Sequence, residues 1–201
     1  MPFVETLAVN TPGSAYAVSK KSAEAMAYSH HLLYGIDVSV LRYFTVYGPA
    51  GRPDMAIFRF VKWTAAGTPI QLFGDGTQSR DFTYVDDIAR GTIAAIKPVG
   101  YEIINLGGGN QPISLNVVIQ KIEDLLGKKA SIINQPFHKA DFKTTWADIS
   151  KADRLLDWRP SVSLDEGLAQ CVQWHQEHLP WSASIDRSRP EYVPVRLRAV
   201  G

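Results

Sequence analysis

The chain has 201 residues, 45% of them hydrophobic, and 21 basic against 20 acidic side chains give a formal net charge of +1. That length allows one substantial core or two small domains, and the interspersed charges exclude a basic nucleic-acid footprint and an acidic tail. A single cysteine, Cys171, excludes an internal disulfide and a cysteine-based metal site; no apolar run approaches a membrane span, and the start MPFVETLAVN has no signal-peptide character, so a soluble cytoplasmic protein is expected.

The first element is a helix opened by the loop NTPGS, with Ser14 as N-cap and Gly35 as the residue that ends it. Residues 37–48, DVSVLRYFTVYG, form a nearly unbroken apolar and β-branched run, which predicts a strand buried on both faces. A helix followed by such a strand suggests part of a parallel α/β sheet. GPAGRPDM reads as a loop, residues 54–66 as a helix stopped by Gly67 and Pro69, and PIQLFGDG as a short strand entering a turn. RDFTYVDDIARGTIAAI passes from extended chain into a helix that Asp86 or Asp87 would cap. YEIINLGGG predicts a strand, SLNVVIQKIEDLLG an amphipathic helix ending at Gly127, ASIINQP a strand, and ADISKADRLLDW and SLDEGLAQCVQWHQEH the last helices. From Trp181 onward, with Pro190 and Pro194 and no periodicity, the chain reads as a frayed end or linker.

Tyr16 and Lys20 stand at i and i+4 at the head of the first helix, so the ammonium can sit beside the phenol. A neighbouring cation favours phenolate and brings a weak base toward neutral working pH; an ordinary amphipathic helix carries the same spacing by chance. NLGGGNQP follows a strand and precedes a helix, as a dinucleotide turn does, but Pro112 stands where the third glycine belongs, so a structural turn is the reading. Arg80 with Asp81 forms a surface ion pair or lends its fork to a phosphate, and Arg52 offers the same choice for a carboxylate. Asp86 and Asp87 read as helix caps and not metal ligands, since no third ligand has suitable spacing; His30 and His31 read as a solvated helix face.

Taken together, SAYAVSKKSAEAM, VLRYFTVYGPAGRPDMAIF, IQLFGDGTQSRDFTYVDDIA, INLGGG and ADISKADRLLDWRPSVSLDEGL resemble the extended short-chain dehydrogenase/reductases, in the NAD-dependent epimerase/dehydratase family and its nucleotide-sugar branch. The resemblance covers about residues 2–174, and FTVYGPAGRPDMA within it is most similar to the UDP-glucuronate 4-epimerases. It implies an α/β fold: a partial Rossmann-like element, catalytic helix plus following parallel strand, over residues 1–47, a smaller mixed α/β nucleotide-sugar domain over 48–181, some of it packing on the first part, and a tail over 182–201. Tyr16 and Lys20 are then the catalytic pair, with Tyr16 removing the 4-hydroxyl proton and Lys20 holding the nicotinamide ribose of NAD. The resemblance puts Thr45 and Arg52 on the hexuronate carboxylate, Arg80 and His138 at the UDP diphosphate, Gln71 and Phe73 near the uridine and Asp141 near its ribose. His138 replaces the Arg or Gln common in relatives, and Ala50 a common Arg.

Relatives carry a glycine-rich NAD-binding half and a catalytic Ser or Thr before this helix. MPFVET resembles the loop just beyond that hydroxyl, so Met1 is expected to be internal to a longer ancestor, and epimerisation to need an N-terminal half supplied separately. Doubtful NAD binding by this chain alone, weak UDP-sugar binding and a homo-oligomer through the Tyr16 helix follow. UDP-glucose 4-epimerase, decarboxylase and dehydratase relatives remain as alternatives, as does a non-catalytic UDP-sugar-binding or assembly module; Thr45 stands where UDP-glucose epimerases usually carry Asn.

Overall fold

A computed structural model describes residues 2–8, 10–109, 112–137 and 142–185. Helix α1 (Ala15–Tyr34) starts where the Ser14 hydroxyl accepts the Ala17 N–H at 3.1 Å and stops at Gly35, whose φ of 64° suits a residue without Cβ. β1 (Val38–Tyr43) follows, then β2 (Val46–Tyr47), α2 (Ala56–Ala66), β3 (Ile70–Phe73), β4 (Ser79–Arg80), β5 (Thr83–Tyr84) and α3 (Val85–Ala94). The second half contains β6 (Tyr101–Leu106), β7 (Ile113–Ser114), α4 (Leu115–Leu126), β8 (Ile132–Gln135), β9 (Thr144–Thr145), α5 (Ser150–Leu156), α6 (Leu164–Glu177) and α7 (Leu179–Ser184). No helix among the described residues is long and apolar enough to cross a membrane.

The fold is mixed α/β with parallel strand pairs. β1 lies parallel to β6 in register from Val38↔Tyr101 to Tyr43↔Leu106. The apolar run after Asp37 is not one strand buried on both faces. Its β1 part is half-buried, and near Phe44 the chain changes partners, so that β2 pairs with β5 instead. β3 pairs parallel with β8, and β4 runs between antiparallel β7 and parallel β9.

Two clusters of buried side chains organise these pieces. Ile104 and Leu106 of β6 pack with Ile88 of α3, Leu156 of α5 and Trp158. Ile57 and Phe60 of α2, Ile70 and Leu72 of β3, Ile122 of α4 and Leu168 of α6 form the other, together with the buried Tyr47 and Tyr84. Burying side chains of this size is worth about 1.5–3 kcal/mol each, which holds α2, α4 and α6 together over β3.

Two local expectations are corrected. Neither Asp86 nor Asp87 caps α3: its N-cap is Tyr84, without a side-chain hydrogen bond. Asp86 is exposed, and buried Asp87 accepts the N–H groups of Ser161 and Val162, both at 3.0 Å, so a distant loop has claimed the carboxylate. The frayed end does not begin at Trp181. α7 continues to Ser184, with Ser182 buried and its Oγ 3.1 Å from His175 Nδ1, while Lys62 Nζ donates to the Ile185 carbonyl at 2.7 Å. Pro190 and Pro194 lie outside the described residues.

Candidate functional site

At the N-terminal end of α1, Tyr16 is 71% exposed and Lys20 extends over its ring, with Nζ 5.5 Å from the centroid. The i,i+4 spacing does this locally, because successive helical turns stack side chains on one face. Tyr16 forms one wall of a concavity of about 520 Å³, lined also by Tyr43, Thr45, Gly48, Arg52 and Phe82. Thr45 arrives from the break between β1 and β2, and Arg52 from the Pro- and Gly-rich loop ahead of α2. The Tyr43 hydroxyl is fixed 2.9 Å from Thr92 Oγ1. Arg52 Nε donates to Asp54 Oδ1 at 2.8 Å, and one of its terminal nitrogens lies 3.5 Å from Met55 Sδ. The floor includes the buried Tyr47, whose phenol burial pushes well above its usual range. Tyr47 is thus a packing group and not a second base.

Gln71, Phe73 and Arg80 do not line this concavity. Gln71 is exposed on β3 and accepts from Gln135 Nε2 at 2.8 Å; Phe73 ends the same strand. Arg80 is half-buried on β4, its Nη1 donating to the Ser79 carbonyl at 2.8 Å. His138 and Asp141 lie outside the described residues. A larger open trench of about 1150 Å³, bordered by Gly108, Trp146, Asp148 and Arg159, takes in Gly109 and Pro112 of the glycine turn but none of the residues that the resemblance gives a catalytic or substrate-binding role. The smaller concavity is therefore the candidate, because it collects the groups with usable chemistry.

The residue after Arg80 is not a surface partner. Asp81 is buried, and its Oδ2 accepts the N–H groups of Gly109 at 3.1 Å and Ala147 at 3.0 Å. A Cβ on Gly108 would lie 2.0 Å from Asp81 Oδ1. The glycines of NLGGG thus admit an internal carboxylate, which takes an N–H that a dinucleotide phosphate would need. This turn does not fit the pyrophosphate of a dinucleotide, whereas Tyr16 and Lys20 leave a phenol and an ammonium exposed side by side. Among the described residues, no group of three or more His, Cys, Asp or Glu side chains could hold a metal ion.

The ion pair that joins α1 to β1 was not among the sequence expectations. Arg42 of β1 grips Glu24 of α1 through two nitrogens of its fork, Nε–Oε1 at 2.7 Å and Nη2–Oε2 at 2.8 Å. Its bonds to Glu24 hold that carboxyl below its usual range. The available signal was Arg42 itself, the one charge inside the apolar run VSVLRYF.

Comparison with known proteins gives these positions a context. Residues 1–107 match the NAD dependent epimerase/dehydratase family. A UDP-glucuronate 4-epimerase of Thermodesulfobacterium geofontis is 62% identical over 184 residues, covering 92% of this chain and 57% of that protein. The crystal structure of a Bacillus cereus UDP-glucuronic acid 4-epimerase in complex with UDP-glucuronic acid and NAD superposes with a TM-score of 0.83 at 42% identity, over 88% of this chain and 57% of the other. A Thermotoga maritima UDP-glucose 4-epimerase with UDP-glucose gives a TM-score of 0.77 at 31% identity, over 82% and 54%. The chain spans about half the length of the curated relatives it matches.

Proposed function

The chain belongs to the NAD dependent epimerase/dehydratase family, and from that premise we propose that it forms the Tyr–Lys helix and sugar-binding side of a UDP-glucuronate 4-epimerase. The observation that carries this reading is the shared concavity: Tyr16, Thr45 and Arg52, from three separate segments, face one space.

The C4 hydrogen of a saturated sugar is not acidic, so a base alone cannot invert that carbon. NAD, when bound, supplies reversible hydride acceptance at C4. Tyr16 takes the proton of the 4-hydroxyl and returns it after the ring has presented its other face. Lys20, beside the Tyr16 ring, orients the cofactor's ribose. A 4-keto hexuronate is a β-keto acid that loses carbon dioxide when its carboxylate aligns with the ketone π system. A guanidinium fork and a hydroxyl, Arg52 and Thr45, suit the task of holding the carboxylate out of that alignment. Asp54 helps by fixing Nε of Arg52; with Nη2 against Met55 Sδ, a carboxylate would bind at Nη1 or displace the weak sulfur contact.

Arg80, with Gln71 and Phe73, serves the UDP portion in this reading, on the β3–β4 side. His138 and Asp141 are expected to join them. The described residues offer the pyrophosphate of NAD no open glycine turn, so turnover is expected only when one is supplied, by further residues of the polypeptide or by a separate chain. The exposed Met26, Leu32, Leu33 and Tyr34 of α1 support self-association of the assembled enzyme.

Calorimetry tests the assignment. UDP-glucuronate should bind more tightly than UDP-glucose, and Arg52→Ala should remove the difference by weakening UDP-glucuronate about tenfold, the scale of one exposed charge-assisted contact. Equal affinities in the unsubstituted chain would instead favour a UDP-glucose epimerase, and an unchanged preference in Arg52→Ala would remove Arg52 from the carboxylate.

A further inference from the structure

Tyr16, Lys20 and Glu24 follow one another at i, i+4 and i+8 along α1. Such a row ordinarily pairs the lysine with the glutamate one turn later. Here Glu24 is turned away. Its carboxylate accepts from Nε and Nη2 of Arg42, and Lys21 Nζ approaches it at 3.5 Å. Arg42 Nη1 also donates to the Glu5 carbonyl at 3.2 Å, and the Tyr101 hydroxyl donates to the Glu24 carbonyl at 3.0 Å, so α1, β1, β6 and the N-terminal segment meet at this one pair. The Glu24 side chain is 12% exposed and that of Arg42 24%. Lys20 makes no ion pair among the described residues and lies over the Tyr16 ring.

We propose that Arg42 is a positioning residue that divides the charges of α1: by holding Glu24 against β1, it keeps that carboxylate from Lys20 and leaves the Lys20 ammonium to Tyr16. The proposal rests on the reading of Tyr16 and Lys20 as the working pair. Its physical basis is a competition for one carboxylate. A planar fork making two short, mostly buried, charge-assisted bonds outcompetes a flexible ammonium on an exposed helix face. With the fork gone, Glu24 is free to swing along its own row to Lys20, and the cation beside Tyr16 acquires a carboxylate that neutralises it. The remaining α1 side chains do little to prevent such a change, since none is buried.

The measurement is the acylation rate of Lys20 in the full 201-residue chain, using an amine-reactive ester at low concentration and fragment mass spectrometry to separate Lys20 from Lys21. A carboxylate against the ammonium shields it, so Arg42→Gln should slow Lys20 labelling about twofold, the scale on which an exposed i,i+4 pair biases a side chain. Glu24→Gln alone should leave the Lys20 rate unchanged, and adding it to Arg42→Gln should restore the original rate. An unchanged Lys20 rate in Arg42→Gln, or a fall that Glu24→Gln does not reverse, would overturn the proposal. So would slowing of Lys21 in place of Lys20. Should Arg42→Gln lose its helical circular dichroism, Arg42→Lys, which keeps a cation but not the fork, is judged by the same reversal. The labelling reads the division of charge whether or not Tyr16 acts on a sugar; that reading fails separately, if Tyr16→Phe leaves turnover intact when the chain is supplied with an NAD-binding half.

Discussion

Asp87→Ala tests whether a buried carboxylate, and not a helix cap, ties α3 to the loop ahead of α6. Asp87 is wholly buried and accepts Ser161 N–H and Val162 N–H at 3.0 Å each, Ser161 Oγ at 2.9 Å, and the Arg90 guanidinium. The Arg90 share is small, because its half-exposed guanidinium can return to water. The two backbone N–H groups decide the cost: each costs about 1–3 kcal/mol when left unpaired, and exposed Ser161 keeps its own toward the low end. A loss of about 2–4 kcal/mol follows, which for a chain of this size lowers Tm by roughly 4–16 °C. Guanidinium and thermal unfolding followed by circular dichroism give both numbers. The pH dependence has a fixed sign. Burial alone would raise the Asp87 pKa, but the bonds from Val162, Arg90 and Ser161 outweigh it and leave it below the usual 3.8. The unfolded chain therefore binds the proton first, so the advantage over Asp87→Ala is full above pH 3.8 and shrinks as pH falls through the folded value. A loss under about 1 kcal/mol, or a gap that widens with acid, would refute the reasoning.

Three further expectations concern other buried groups. His175 is held neutral by burial and by nearby Lys62, with its pKa below 6.5, so the unfolded state protonates first; stability should be level above pH 6.5 and decline below it, and His175→Gln should flatten that slope in a series of melts from pH 7.5 to 5. Burial pushes the Cys171 thiol up to about 12, so a thiol reagent at pH 8 should titrate it only after denaturation, and rapid labelling of the native chain would contradict its placement. Gly108→Ala would put a methyl group 2.0 Å from Asp81 Oδ1 and should cost about 1–3 kcal/mol in urea unfolding; a neutral outcome would mean that the turn does not enclose Asp81.

What could be read ahead of the structure is what local chemistry decides. Ser14, Gly35, Gly67 and Gly127 bound their helices as expected, because a cap is settled by a hydroxyl three residues away or by the positive φ of one residue. The burial of β1 was misjudged because an apolar composition reports what a strand could bury, whereas what covers it depends on its neighbours. β1 has β6 on one edge and a helix without buried residues against it. Asp87 was misassigned for a related reason. An Asp near a helix start satisfies the capping pattern locally, yet its acceptors' donors come from Ser161 and Val162, 74 and 75 residues later. α7 was missed because six residues containing Pro180 are too short to show a period; His175, Ser182 and Lys62 hold it through side chains that no window of sequence displays together.

The candidate site divides along the same line. Tyr16 and Lys20 were visible because four residues of helix suffice to bring a phenol and an ammonium together. Arg52 was visible as a possible carboxylate fork and Thr45 entered through resemblance, but nothing in their spacing announces that two loops close on one concavity; their common wall with Tyr16 is a property of the fold. The glycine turn after β6 makes the point most sharply. A run of glycines exposes backbone N–H groups and admits an anion closely, whatever that anion is. Pro112 argued against a dinucleotide, but only Asp81, 28 residues earlier than Gly109, shows which anion the turn receives. A carboxylate built into the chain has an effective concentration that no free phosphate matches. While Asp81 holds Gly109 and Ala147, the turn fastens the Arg80 segment to the β6 and β9 ends, and any dinucleotide must find its N–H donors elsewhere.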